Sequence, residues 1–158
     1  MDPGPPAKLG DTFLKKKKSK ITIGWREWVS FPDISVRRIK AKIDTGARTS
    51  ALHAWNIREI ERDGKAWVEF DVHPAQRNNR DRVSCIAPIV GQRKVKSSSG
   101  HHEVRYVIMT NVKIADKTLP IEITLTNRDE MGFRLLLGRT AIRGRYIVDP
   151  GKSYLLGK

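Results

Sequence analysis

Apolar and polar positions alternate with period two over several short stretches, the pattern of strands with one buried face. Ile21 to Val29 is rich in strand formers and is turned by Phe31-Pro32-Asp33. Arg37-Arg38-Ile39-Lys40-Ala41-Lys42-Ile43 alternates basic and apolar residues and runs into Asp44. Trp55 to Ile60 and Trp67 to Val72 flank Asp63-Gly64, which predicts a hairpin around that dipeptide. Residues 74–82 are polar and read as a loop. Val83 to Val90 and Val104 to Thr110 are strand-like, joined by a basic, Ser/Gly-centred tip from Gly91 to Glu103 that predicts a projecting hairpin. Val112 to Ile114 and Leu119 to Thr126 form another hairpin across Ala115-Asp116-Lys117. Met131 to Gly138 reads as a buried strand closed by glycine, Arg139 to Arg145 as a short helix, and Tyr146 to Pro150 as a last strand and turn. Many short strands, no repeat and no long helix predict an all-β, closed or sandwich-like fold.

Composition narrows the class. At 158 residues with 39% apolar content, one domain is expected, and no run reaches the ~18 apolar residues of a membrane helix. Residues 1–20 read as a disordered basic arm and 21–158 as the folded domain. The start lacks the apolar core of a signal peptide, so a cytoplasmic location and no membrane partner are expected. A single cysteine, Cys85, excludes an internal disulfide. Net charge is +14; the arm's six lysines and two aspartates supply +4, leaving +10 on the domain. Such a surface concentrates anionic partners, whether nucleic acid or acidic peptides.

Candidate chemistry is sparse. His53, His73, His101, His102 and Cys85 show neither His-Glu-x-x-His nor Cys-x-x-Cys spacing, so no metal ligands are assigned and no cofactor is expected. Ser97-Ser98-Ser99 lacks the Gly-x-Ser-x-Gly elbow of a nucleophilic serine, and no phosphate-cradling glycine loop occurs. The remaining feature is Asp44-Thr45-Gly46-Ala47 at a strand's end. Taken alone, these residues suit a tight turn as well as an active site.

Asp44-Thr45-Gly46-Ala47 and the distant Leu135-Leu136-Leu137-Gly138-Arg139 together resemble the retropepsin-like aspartic peptidases. In that family an Asp-Thr/Ser-Gly-Ala loop follows a strand, a flap hairpin comes next, and a strand ending in apolar-apolar-Gly packs beneath the loop before a short helix. Lys42 to Ala54, Arg93 to Gly100, Arg105 to Ile108 and Asn127 to Met131 are similar to the bacterial, RimB-like branch often labelled "ATP-dependent zinc protease". The resemblance implies a closed β-barrel with one short C-terminal helix. It also implies catalysis by Asp44, supported by Thr45 and Gly46. One Asp-Thr-Gly per chain would then require a homodimer, with two Asp44 carboxylates sharing a proton. Ala47, Arg48, Arg93, Lys94, Lys96, Ser97, Ser98, Gly100, Arg105 and Arg139 become the candidate substrate-binding residues. Their basic character favours an acidic peptide or a glutamate-tailed protein, with a ribosomal component among the candidate partners. Alternatives stay open: a nucleic-acid- or ribosome-binding protein, an inactive peptide-binding module on the same scaffold, or the metallopeptidase of the branch label. Against nucleic acid, aromatic residues are only 7% and do not alternate with basic ones along the chain.

Overall fold

The computed structural model describes residues 20–75, 81–96, 100–127 and 132–157. Eleven strands follow one another: β1 (Ile21–Gly24), β2 (Arg26–Phe31), β3 (Val36–Ile43), β4 (Ser50–His53), β5 (Trp55–Arg62), β6 (Lys65–Val72), β7 (Val83–Lys96), β8 (His102–Ile114), β9 (Lys117–Thr126), β10 (Leu135–Leu137) and β11 (Tyr146–Asp149). One short helix, α1 (Arg139–Ile142), lies between the last two. Nine strands form one sheet in the order β2-β3-β10-β4-β9-β8-β7-β6-β5. A further pairing of β2 with β8, Ser30 opposite Lys113, closes its first six strands into a barrel. The fold is the retropepsin-like closed barrel with one short helix.

Alternation explains the closure. Ile39, Ala41 and Ile43 of β3, Leu135 and Leu137 of β10, and Ile123 and Leu125 of β9 all point inward and are buried. Each full burial of such a large aliphatic side chain stabilises by ~1.5–3 kcal/mol, so the barrel interior is the main source of cohesion. Beyond it, β7, β6 and β5 continue the sheet, and Val68, Phe70, Cys85 and Ala87 extend the same core outward. The free edge, β5, carries Arg58, Glu59, Glu61 and Arg62, charges that discourage edge-to-edge pairing. The predicted turn at Asp63-Gly64 has φ values of 54° and 77°, as a two-residue hairpin of the mirror-image type demands.

Several sequence expectations need correction. The stretch from Ile21 to Val29 is two strands in different sheets, because β1 leaves the barrel to pair in parallel with β11. Gly91 does not end a strand: β7 continues to Lys96, and Gln92 to Lys96 pair with His102 to Tyr106. The shift in register between Ile89 and Gly91 is a bulge within a long arm, so the tip is far shorter than Gly91 to Glu103. The arm's residues are mostly polar and none of those described from Gly91 to Val95 or from His102 to Tyr106 is fully buried, so it offers no hydrophobic alternation to read. Strand β4 was not expected at all; its four residues are too few to show a period. The strand near Met131 is only Leu135–Leu137, and the helix ends at Ile142, before Gly144 at φ 80°.

A buried carboxylate fastens the C-terminal segment to the barrel. Glu27 is 0% exposed. Its Oε2 accepts the N–H groups of Gly24 (2.7 Å) and Leu155 (2.9 Å), and Oε1 accepts that of Leu156 (3.1 Å). Three backbone donors thus meet a side chain whose charge they solvate.

Candidate active site

The Asp44 loop arises where β10 slides between β3 and β4. β10 runs parallel to β3, with Leu137 opposite Ile43, and antiparallel to β4, with Leu135 opposite Leu52. Residues 44–49 must therefore cross over the end of β10. The Asp44 N–H extends the ladder by donating to the Leu137 carbonyl (2.8 Å). Within the loop, Gly46 N–H donates to Asp44 Oδ1 (3.1 Å) and Ala47 N–H to the Asp44 carbonyl (3.2 Å). This is an Asx-type turn. Asp44 is half-buried, while Thr45 and Gly46 are exposed.

The loop is gripped from below by the start of α1. Arg139 N–H donates to the Ala47 carbonyl (2.7 Å), and Thr140 N–H to that of Arg48 (3.1 Å). The Arg139 guanidinium Nη1 donates to the carbonyls of Thr45 and Gly46, each at 3.2 Å. Gly138 N–H donates to Ser50 Oγ (3.0 Å). A Cβ on Gly138 would stand 2.5 Å from the Thr49 carbonyl oxygen and 2.9 Å from that of Ala47. Only glycine permits this approach. The distant motifs Asp44-Thr45-Gly46-Ala47 and Leu136-Leu137-Gly138-Arg139 are therefore one hydrogen-bonded unit.

Other acidic candidates behave as turns. Asp63 sits in the β5–β6 hairpin, and Asp149 Oδ1 accepts the Gly151 N–H (3.0 Å). Among the described residues, both hydrogen bonds accepted by Asp44 come from its own loop.

The candidate substrate residues divide. Ala47, Arg48 and Arg139 belong to the gripped unit. Arg48 and Arg93 line a cavity of about 380 Å³ with Thr49, Met109, Glu122 and Thr140, so β7 does bring a cation toward the loop. Arg93 lies directly opposite Arg105 in the β7–β8 register. Like charges so placed repel. The Arg105 guanidinium turns to Glu103, two residues along the same face, at 3.4 Å. Lys94 is exposed on β7 opposite Val104, and Gly100 is exposed at the hairpin tip with φ 89°. Ser97, Ser98 and the side chain of Lys96 lie outside the described residues, as do residues 1–19 of the basic arm and residues 128–131 of the Asn127 to Met131 match. A larger cavity, about 760 Å³, lies over β5, β6 and β7 at Asn56, Asp71 and Cys85, and none of its residues belongs to the Asp44 loop.

Sequence reasoning missed two features of this region. Ser50 anchors Gly138, although Thr49-Ser50 continues the Asp44 motif. A second cluster sits at the far end of the β4–β10 pair. There the Trp55 ring stacks on His53 (3.9 Å between centroids) and meets His73 edge-on (4.2 Å), with the Arg134 guanidinium 4.8 Å above it. Arg134 Nη1 donates to the His73 carbonyl (3.1 Å), and His53 N–H donates to that of Arg134 (2.8 Å). Spacing in the chain gives no sign that His53 and His73 share one tryptophan. Among the described residues, no three His, Cys, Asp or Glu side chains converge to hold a metal ion, and no helix is long and apolar enough to cross a membrane.

A closed barrel, an Asp-Thr-Gly-Ala crossing loop and a Leu-Leu-Gly-Arg strand beneath it define the retropepsin-like class of aspartic endopeptidase. The chain belongs to the RimB-like family: the family model, described as retropepsin-like aspartic endopeptidase RimB, matches residues 22–158. Among curated proteins it is 48% identical over 140 residues to a probable alpha-L-glutamate ligase of Desulfotalea psychrophila and 45% identical to one of Shewanella pealeana. Each match covers 89% of this chain, but only 30% and 31% of those proteins, so the chain spans under a third of their length. Among solved structures it is similar to Lpg0085 of Legionella pneumophila, a protein of unknown function (DUF785). That likeness has a TM-score of 0.73 and 34% identity, over 87% of this chain and 99% of that one.

Proposed function

We propose that the chain is an aspartic-type endopeptidase in which the Asp44 loops of two copies meet about a two-fold axis and cleave acidic peptides. The observation that carries this reading is the gripped, exposed Asp44 loop, of which each chain has one. Two carboxylates in close contact cannot both ionise, so the pair holds one proton. The ionised member takes a proton from a water as its oxygen attacks the scissile carbonyl carbon. The protonated member meanwhile donates to the carbonyl oxygen. The resulting gem-diol collapses as a proton passes to the leaving nitrogen and the C–N bond breaks. The hydrogen bonds from Arg139 and α1 fix the loop backbone within one chain, which supports this reading because a carboxylate positioned in advance lowers the entropic cost of the reaction.

Arg48 and Arg93 support an acidic substrate, because charge-assisted bonds to carboxylates are roughly twice as strong as neutral ones. The relatives named as probable glutamate ligases support it further. A polypeptide that joins glutamate to a target is a fitting companion for a domain that trims glutamate-rich chains. This chain matches under a third of their length. A soluble homodimer in the cytoplasm is the setting we propose.

The test is cleavage of an oligoglutamate-tailed peptide by the wild type and by Asp44→Asn, with circular dichroism as the check on folding. Loss of turnover with an unchanged spectrum is expected, and undiminished turnover refutes the mechanism. Solution mass gives the second readout: a strict monomer at high concentration and with substrate present leaves Asp44 without its partner.

A further inference from the structure

The outer face of β2 and β3 is a wall of cations around one tryptophan. Arg26 stands opposite Lys42 and Trp28 opposite Lys40 in the antiparallel register, and Arg38 follows on the same face of β3. The Arg38 guanidinium lies 4.1 Å, and the Lys40 ammonium 5.5 Å, from the centre of the Trp28 ring. Tyr154, brought over by the segment that Glu27 fastens, stacks on Trp28 at 6.0 Å and 20°, with Arg26 5.0 Å from its own ring. None of the ion pairs of the described residues involves these four cations. Along the chain the aromatic and basic residues do not alternate, yet the fold interleaves them across strands.

We propose that this face binds single-stranded nucleic acid, its cations contacting phosphates and its Trp28–Tyr154 platform, with the Arg38 plane, stacking bases. Arg38, Lys40 and Lys42 repeat every second residue, about 6.6–6.8 Å apart along the strand, an extended track for a backbone of negative charges. An acidic peptide would satisfy the cations but bring no π face to the aromatic platform, whereas every base has one. A second copy of the chain is disfavoured, since a two-fold axis would set this wall of positive charge against itself. The site uses no residue of the Asp44 loop, which begins two residues after Lys42, and it stands or falls without the peptidase reading.

The test is fluorescence anisotropy of a labelled oligouridylate of about twelve nucleotides, a length within known single-strand site sizes. The full chain is used over a salt series. Four phosphate contacts predict a slope of log K against log salt of about −2.8 from this face, at about −0.7 per phosphate. The double variant Arg38→Glu, Lys40→Glu is expected to bind at least tenfold more weakly and to lose about 1.4 of the slope. Arg62→Glu with Lys65→Glu, at the β5–β6 turn, makes the same change in net charge and is expected to leave both nearly unaltered. Trp28→Leu keeps every cation, so about fivefold or greater weakening at unchanged slope reports stacking. Equal weakening by the two double variants refutes the assignment. So does duplex RNA bound as tightly as single strand, or an oligoglutamate of equal charge that displaces the oligonucleotide. The basic arm is present in every variant and cancels from the comparison.

Discussion

Replacing Glu27 by glutamine keeps the shape of the side chain and turns one of its acceptors into a donor. In the wild type, Oε2 serves Gly24 and Leu155, and Oε1 serves Leu156. The carboxamide oxygen of the variant can take the place of Oε2 and retain two bonds. The amide nitrogen then faces the Leu156 N–H, donor against donor. A hydrogen bond to a charged group contributes ~1.5–3 kcal/mol, and a stranded buried donor costs ~1–3 kcal/mol. The two effects overlap, so a loss of about 3 kcal/mol is expected rather than their sum. For a domain of this size each kcal/mol moves the midpoint by ~2–4 °C, which gives a fall of about 6–12 °C. Thermal and urea unfolding measure the total, and amide exchange at Leu155 and Leu156 locates it. A midpoint within about 2 °C of wild type, with exchange at Leu156 unchanged, would refute the clamp. The C-terminal segment would then be held by its aromatic contacts and the bond from Arg26 Nε to Ser153 Oγ.

Gly138→Ala forces a methyl group against the backbone carbonyls of Thr49 and Ala47, which cannot swing aside as a side chain would. Denaturation should show a loss of about 1–3 kcal/mol, and peptide cleavage should fall further because the Asp44 loop is what moves. The thiol of Cys85 is pushed up to about 12, by burial first and by the Asp71 carboxylate second. At pH 8 about one part in ten thousand is thiolate, so a disulfide reagent should leave the native protein unmodified and react on unfolding. Because this group is raised from 9.0, its contribution to stability is complete below pH 9 and is lost as pH climbs from 9 toward 12. Alkaline unfolding of a Cys85→Ala variant, referenced to its own neutral stability, should lack that part of the decline.

The strands whose two faces differ in solvent were legible in the chain. β3 from Ile39 to Ile43, β6 from Trp67 to Val72 and β9 from Leu119 to Ile123 each alternate, because one face packs into the core and the other turns toward water. The Asp63-Gly64 turn was legible because positive φ at two successive positions is a demand of local chemistry. Asp44 and Gly138 were also legible as residues, through their resemblance to a known pair of motifs. What the chain could not show is that Arg139 Nη1 reaches the Thr45 and Gly46 carbonyls, or that Ser50 holds Gly138. Those bonds join positions some ninety residues apart, and they exist only because β10 inserts between β3 and β4. β4 was hidden for the same reason: four residues have no period, and only their neighbours on both sides make them a strand.

Length, alternation and turn chemistry by themselves determined an all-β domain with an aspartate at a strand's end. Local interactions span a few residues, and the pattern of a strand records them. The tertiary structure decided everything that depends on closure. It set which strand closes on which, the grip of α1 on the Asp44 loop, the burial of Glu27 beneath the C-terminal segment and the gathering of Trp28, Tyr154 and four cations on one face. Each is a contact between segments far apart in the chain, made when the barrel closes.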